Sequence, residues 1–399
     1  MPRVKAEPDE LDMVTAAYLA GEGRKQTAIA ETLGTNQAAV SRLLVHARKR
    51  YLREEVRFLQ EKVSPEMMQK VMQRVSRNAL SEKLDHLAAL AGRRGPVLRV
   101  FSCDKTRAES RPERMAELGR QAAPYIRDLI LRSKVCGVTW GGMLSAVVSA
   151  LKDLSKAPPW KEGPIEIIPL AGEPLGDDPT TYSSSSLAHE LGAAVNGPGY
   201  YARSLAMVPA FIPSGFEKKA ISGVNQLIGL VEAYAQIFGE PRGGQRAAGV
   251  MVNNLDMVLT SVGPAERLLG FGRGRLFATG KIKLEDLQNL VIGDMGGICF
   301  ERPGLTKGQR RELQSVVARW TGWSRGDLDG CVDRANEGDR FQGPPGIVVI
   351  SIGSDRAKFL LEAVALGCVN HLLIDDELQV KMETLLTARL AAARQSSAD

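Results

Sequence analysis

Gln26–Leu44 reads QTAIAETLGTNQAAVSRLL, and the fold of this stretch sets the terms for the rest of the chain. Ala28, Ile29 and Leu33 recur at helical spacing, as do Val40, Leu43 and Leu44, so two short helices present apolar faces to one another. Gly34 lies between them, where a positive φ closes the first helix without steric cost. Asn36 is an N-cap for the second helix, its side-chain oxygen placed to accept from an orphan amide. Ala30 is small where the two helices cross. Small residue, glycine, then two aliphatics is the spacing of a helix-turn-helix, whose second helix enters the major groove. A short αα corner in a helical domain is the alternative. The outward face argues for the former. Gln37, Ala38, Ser41 and Arg42 point away from the apolar stripe, and these groups bond base edges or touch a thymine methyl. Thr35, Asn36, Arg48 and Lys49, with Arg50 beyond them, are placed to hold phosphates. The stretch reads as a reader of double-stranded DNA.

Outward from it, Met1–Pro8 is polar with two prolines and is expected to be disordered. Glu10–Ala20 carries Leu11, Val14, Ala17 and Tyr18 at helical spacing and supports the reader, with Gly21 and Gly23 ending it. Tyr51–Leu59 extends the second helix or forms a short strand or wing. From Ser64 to Ala91 an amphipathic stripe (Met67, Met68, Val71, Val75, Leu80, Leu84, Leu87, Leu90) is either core or a linker and dimerisation helix. Arg93–Pro96 (RRGP) marks a boundary. The expected organisation is a helix-turn-helix domain over 1–60, linker helices over 61–95 and a large domain over 96–399.

A chain of 399 residues has room for two or three domains. A net charge of +6 permits nucleic-acid binding without demanding it. The five cysteines are far apart, odd in number and without a CxxC pair, so neither a zinc site nor a disulfide framework is indicated. Reduced thiols in a cytoplasm account for them. The four histidines are equally scattered. No metal or cofactor is expected. The N-terminus has no apolar segment of signal-peptide type, and no apolar run approaches the ~20 residues of a membrane helix. The chain reads as cytoplasmic, with no membrane partner.

After Pro96 short apolar strands alternate with helices, the mark of an α/β domain with a largely parallel sheet. Strands are expected at Val97–Ser102, Lys134–Thr139, Ile165–Leu170, Met207–Phe211, Met257–Val262, Leu290–Asp294, Ile347–Ile352 and His371–Ile374. Helices are expected at Glu113–Ser133, Met143–Leu154, Ser184–Val195, Lys218–Tyr234 and Asp355–Leu366. Arg302–Pro345, polar and bearing Trp320 and Trp323, reads as an insertion (301–345) of no assigned function. Four glycine-bearing loops stand at strand ends, where open α/β sheets bind ligands. These are VTWGGMLS (Val138–Ser145), LAGEPLGDDPTTYSSSS (Leu170–Ser186), GDMGGICF (Gly293–Phe300) and GSDRAK (Gly353–Lys358). Backbone amides after Trp140, Gly141, Gly142 and Met143 suit an anion or a sugar hydroxyl. Gly172 and Asp294 lie at strand ends, and Arg356 and Lys358 offer cations.

Read together, QTAIAETLGTNQAAVSRLL, VCGVTWGGMLSAV, LAHELGAAVNGPGYY with MVPAFIPS, GDMGGICFE and IGSDRAKFLLEAVALGCVNHLLIDDE resemble the SorC family of sugar-responsive bacterial transcriptional regulators. They run in that family's order from about Met13 to Leu386. The resemblance implies a Rossmann-like α/β effector domain related to the sugar-phosphate isomerase and CoA-transferase fold. It also implies a homotetramer whose DNA affinity responds to a sugar or sugar phosphate. The chain departs from the family at three places. Met143 and Leu144 follow Gly142 where members that bind phosphosugars tend to carry threonines. Arg356 stands where a lysine is common, and Arg302–Pro345 is longer than usual.

The leading expectation is a ligand-gated transcription factor. The rival is a sugar-phosphate isomerase with a helical extension, Asp294 or Glu301 serving as base and Lys218 or Lys219 as Schiff-base former; none of these sits in a recognisable acid/base pairing. A third reading makes the large domain an oligomerisation scaffold.

Overall fold

The computed structural model describes residues 9–48, 50–51, 63–64, 67, 71, 79–103, 110–154, 160, 162–173, 182–212, 218–239, 250–265 and 284–396. They fall into two compact units, divided between Glu82 and Lys83. The expectations for Met1–Pro8, for Lys49, for the chain beyond Tyr51 as far as Leu59 and for much of the stripe over 64–78 lie outside the described residues.

The smaller unit contains α1 (Glu10–Gly21), α2 (Gln26–Thr32) and α3 (Gln37–Arg48). Asp9 caps α1 by accepting from the Leu11 amide at 3.0 Å. Its alanine-rich sequence lets α1 be buried on most sides, through Val14, Ala16, Ala17, Tyr18 and Leu19, while it packs against α2 and α3. The turn after α2 closes with Gly34 at φ +60° and the Thr35 amide on Ala30 O at 2.9 Å. That conformation is costly for a residue with a Cβ. Asn36 Oδ1 then accepts from the Ala39 amide at 2.9 Å and starts α3.

The larger unit begins within α4 (Ala79–Ala89), and Arg93–Pro96 belongs to it. Arg93 pairs with Asp333, and Arg340 donates to Gly95 O at 2.8 Å. The chain continues through β1 (Val97–Phe101), α5 (Arg111–Leu131), β2 (Val135–Val138), α6 (Gly142–Leu154), β3 (Glu166–Pro169), α7 (Ser184–Asn196), α8 (Lys218–Gly229) and α9 (Glu232–Phe238). There follow β4 (Met257–Thr260), β5 (Val262–Pro264), α10 (Leu284–Leu290), β6 (Val291–Met295), β7 (Ile298–Glu301), α11 (Lys307–Val317), α12 (Arg325–Glu337), β8 (Gly346–Ser351), α13 (Ala357–Ala365), β9 (His371–Asp375) and α14 (Asp376–Ser396).

Six strands form a parallel sheet in the order β1-β9-β8-β4-β2-β3. β8 and β9 are buried at every position, which is why they read as unbroken apolar runs. From β2 the chain steps outward to β3, and from β4 it steps the other way to β8 and β9. The order therefore reverses between β2 and β4, the switch point at which open α/β sheets leave a crevice. A small antiparallel sheet, β5-β6-β7, is the second sheet among the described residues.

Several expectations are corrected. Met207–Phe211 is not a strand: Glu173↔Pro209 and Phe211↔Trp320 are isolated bridges, and Pro209 has no amide to continue a ladder. Leu290–Asp294 joins the small sheet as β6 rather than the large one. Met257–Val262 splits at Ser261, β4 and β5 entering different sheets. Lys218–Tyr234 breaks into two helices where the amides of Leu230 and Val231 turn back on Leu227 and Ile228. Arg302–Pro345 forms α11 and α12, and α12 packs on β8, with Arg334 donating to Leu255 O at 2.8 Å. Among the described residues no helix is long and apolar enough to cross a membrane.

Candidate functional site

Two surfaces are candidates for binding. On α3, Val40, Leu43, Leu44 and Ala47 are buried, which leaves Gln37, Ala38, Ser41 and Arg42 exposed on one face. Thr35, Asn36 and Arg48 are exposed at its two ends. Val45, 58% exposed, extends the same face by one turn and was not singled out from the sequence; its spacing from Ser41 and Arg42 was the available signal. Arg50, also exposed, lies 3.6 Å from Glu10, which accepts from the Tyr51 hydroxyl at 3.0 Å.

The second surface lies at the switch point. Beneath it, Thr139 and Thr260, one residue beyond β2 and at the end of β4, share a buried hydroxyl bond of 3.0 Å. The β6–β7 turn rests on them: a Cβ on Gly296 would collide with both threonines. Above this floor a ring of neighbours closes. A Cβ on Gly142 would lie 3.7 Å from Met115 Cε, and one on Gly141 would lie 3.8 Å from Ser261 Oγ. Those are ordinary contact distances, so Met115 and Ser261 line the two glycines at the spacing of one methyl group. Met115 is one helical turn beyond Arg111, which faces Asp355 at 3.9 Å. Arg356 donates to Asp355 at 3.1 Å and to Val262 O at 3.0 Å. Val262 adjoins Ser261, and the ring is complete. The Gly141 amide bonds Tyr182 O at 3.1 Å, and Tyr182 is half-exposed beside it.

The ring brings together Gly141, Gly142 and Arg356, with Trp140 beside them. It does not bring in every residue expected from the sequence. The Met143 side chain is buried in the core at the start of α6. Gly172 is packed under the 208–210 backbone, where a Cβ would collide with Val208 O. Lys358 is exposed on α13 and makes none of the contacts that close the ring. Asp294 lies below, its carboxyl accepting from the Gly297 amide at 3.0 Å; burial lifts it from 3.8 to about 6, against the pull of that amide and of Arg356. Arg356 is itself built into the frame, since it also donates to Ile352 O at 2.7 Å.

Sequence reading missed Arg111, Met115, Ser261 and Asp355, and it left Trp320 without a role. Trp320 stands edge-on to Trp140, with centroids 5.3 Å apart and planes at 77°. Its indole N–H donates to Trp323 O at 2.8 Å, and that of Trp323 donates to Gly296 O at 2.9 Å. The crossover of α11 and α12 thus supplies a wall of the crevice. Among the described residues no cluster of His, Cys, Asp and Glu has metal-binding form.

No family model matches the chain, and no curated protein sequence does. Solved structures do. The full-length sorbitol operon regulator SorC from Klebsiella pneumoniae aligns at 18% identity and a TM-score of 0.50, over 95% of this chain and 100% of that one. A DeoR family transcriptional regulator from Listeria monocytogenes aligns at 18% identity and a TM-score of 0.47, over 76% and 100%. A transcriptional regulator from Streptococcus pneumoniae aligns at 15% identity and 0.47, over 76% and 97%. Over nearly its whole length, this chain shares the fold of the full-length regulator.

Proposed function

We propose that the chain is a ligand-responsive transcriptional regulator that binds double-stranded operator DNA through α3 and takes a sugar or sugar phosphate as effector. The genes it controls would be those of a carbohydrate catabolic operon. The observation that carries this reading is the α3 face, a strip of Gln37, Ala38, Ser41 and Arg42 opposite a buried apolar stripe. The fold shared with a full-length operon regulator supports it. In this reading Gln37 and Arg42 bond base edges, Ala38 touches a thymine methyl, and Thr35, Asn36, Arg48 and Lys49 position the phosphate backbone. The ring at the switch point binds effector without turnover and shifts the protein between states of different operator affinity. Trp140, Gly141, Gly142 and Arg356 are its nearest groups, with Met143 contributing its amide and Gly172, Asp294 and Lys358 flanking it.

A homo-oligomer, in this reading a tetramer, pairs the reading helices about 34 Å apart, so the operator is roughly palindromic. The test is fluorescence anisotropy of the full-length protein on DNA from upstream of its own gene cluster. Either Gln37→Ala or Arg42→Ala weakens specific binding by roughly 1–3 kcal/mol, and the double variant falls to the non-specific level. Full sequence discrimination by the double variant would refute the assignment of α3.

A further inference from the structure

We propose that the crevice takes an uncharged sugar in its cyclic form, its carbon face laid on the indole of Trp140, and that Trp320 is the positioning residue that fixes that indole. The inference rests on the effector reading above and narrows it.

Charge carries the first half. A phosphorylated effector brings about two negative charges and needs cations not already engaged by the protein. The described arginines around the ring are committed, and Lys358, which flanks it, is exposed on α13 and makes none of the contacts that close it. Arg111 and Arg356 flank the Asp355 carboxylate from opposite sides, at 3.9 and 3.1 Å. Arg356 is further held by two backbone carbonyls. Arg114, one turn along α5 from Arg111, bonds Asp375 at 2.6 Å and Glu377 at 2.8 Å. Asp355 already occupies the place between two guanidiniums that an anion would take. Asp294 lies buried beneath and adds acid rather than base. Three arginines thus stand against Asp294, Asp355, Asp375 and Glu377. Among the described groups, a dianion entering the ring finds these three guanidiniums already paired with carboxylates, whereas a neutral polyol needs no cation.

The aromatic pair carries the second half. Trp140 is half-buried at the glycine corner of the ring, and Trp320 is 4% exposed behind it. Trp320 is closely packed: its N–H is bonded to Trp323 O, and its ring fills the space that side chains on Gly297 and Gly322 would need. Trp140 therefore packs against a buried neighbour and keeps part of its own indole exposed next to Gly141 and Gly142. The face of an indole carries the negative end of a quadrupole and attracts polarised C–H groups, which a pyranose or furanose displays together on one face and an open chain does not. Met115 opposite is apolar and adaptable. Ser261 Oγ and the first amides of α6 supply partners for hydroxyls.

The experiment uses the full-length protein, following tryptophan emission and calorimetric binding. The probes are D-glucose, D-galactose, D-fructose and D-ribose, each beside its monophosphate and its open-chain alditol, with retention of operator DNA binding as the control for folding. The expected result is that at least one neutral sugar binds, with its phosphate and its alditol each at least tenfold weaker. Trp140→Ala loses at least tenfold for the cyclic sugar and Trp140→Phe loses less. Trp320→Leu narrows the preference for the cyclic form over the alditol, whereas general loosening would weaken both alike. A phosphate that binds more tightly than its parent sugar, or Trp140→Ala binding as well as wild type, overturns this inference and leaves the regulator reading standing. If no probe of any class binds, the effector reading falls with it.

Discussion

Gly297→Ala is the sharpest probe of how the crevice is held. Gly297 has φ +95°, and a Cβ there would lie 2.8 Å from Trp320 Cζ3 and closer still to Cζ2 and Cη2. Two costs add. A left-handed φ costs an L-residue roughly 1–2 kcal/mol, and forcing a methyl into a packed aromatic wall costs roughly 1–3 kcal/mol more. Gly304 separates them: its φ is +80°, nothing lies within 4 Å of a Cβ, and it is exposed. Gly304→Ala therefore carries the strain alone. The difference between the two variants measures the collision with Trp320 and is expected to be about 1–3 kcal/mol. For a protein of this size that is roughly 1–4 °C in Tm, read by scanning calorimetry and by urea unfolding. In the Trp320→Ala background the excess should vanish, giving a coupling of the same size in a double-mutant cycle. A Gly297→Ala variant within about 0.5 kcal/mol of Gly304→Ala would refute the packing described for the aromatic wall.

Three further outcomes follow from particular contacts. The buried Asp294 carboxyl is lifted from 3.8 to about 6, so the folded protein holds a proton the unfolded chain releases. Stability therefore falls as pH rises from about 4 to about 6, and the penalty is complete above that range. Asp294→Asn should raise Tm at pH 7.5, by up to about 3 kcal/mol in stability, with the gain fading near pH 4; equal pH profiles for the two proteins would contradict this. Arg114→Met strips a partner from Asp375, whose side chain is wholly buried, and should cost roughly 2–4 kcal/mol. Adding Asp375→Asn should recover part of it in urea melts, since burial already pushes that carboxyl above its usual range and the neutral amide tolerates the site. Finally, Ser184→Ala removes a hydroxyl that donates to Val138 O at 2.5 Å and accepts from the Leu170 amide at 2.8 Å. It should destabilise by about 1–3 kcal/mol, measurable by the same melts.

How much of this was legible in the sequence depends on the range of the forces involved. The two-helix arrangement of α2 and α3 was legible because its determinants are local: Gly34, Asn36 and the apolar spacing lie within one stretch of chain. The parallel strands were legible because strands covered on both faces are continuous apolar runs, as in β8 and β9. The small sheet was not. Its strands run three to five residues, and β5 follows β4 after the single residue Ser261, so an apolar run conceals a change of sheet. The aromatic wall was illegible for another reason. Trp320 and Trp323 sit in a polar segment, and only contact with Gly296, Gly297 and Trp140 gives them meaning. Arg356 shows the converse limit: its chemistry suggested an anion clamp, and only its bonds to Val262 O and Ile352 O show it to be part of the frame.

Those same bonds explain how one small crevice draws on so much of the larger unit. The ring takes Arg111 and Met115 from α5, Gly141 and Gly142 from the β2–α6 turn, Ser261 from between β4 and β5, and Asp355 and Arg356 from the turn after β8. That last turn packs against the C-terminal helix and shares one carboxylate with it. Asp375 Oδ1 accepts from the Gly353 amide at 3.3 Å and from the Leu378 amide, in the first turn of α14, at 3.1 Å; Oδ2 is held by Arg114. A displacement of the Gly353 turn must stretch a bond shared with the start of α14 or carry α14 with it. The buried carboxylate resists the first, because an unmade bond there costs its full desolvation. A ligand that contacts this turn therefore acts on the 21-residue helix as well as on its own site, and its effect is bounded by the difference in its affinity for the two positions of the turn.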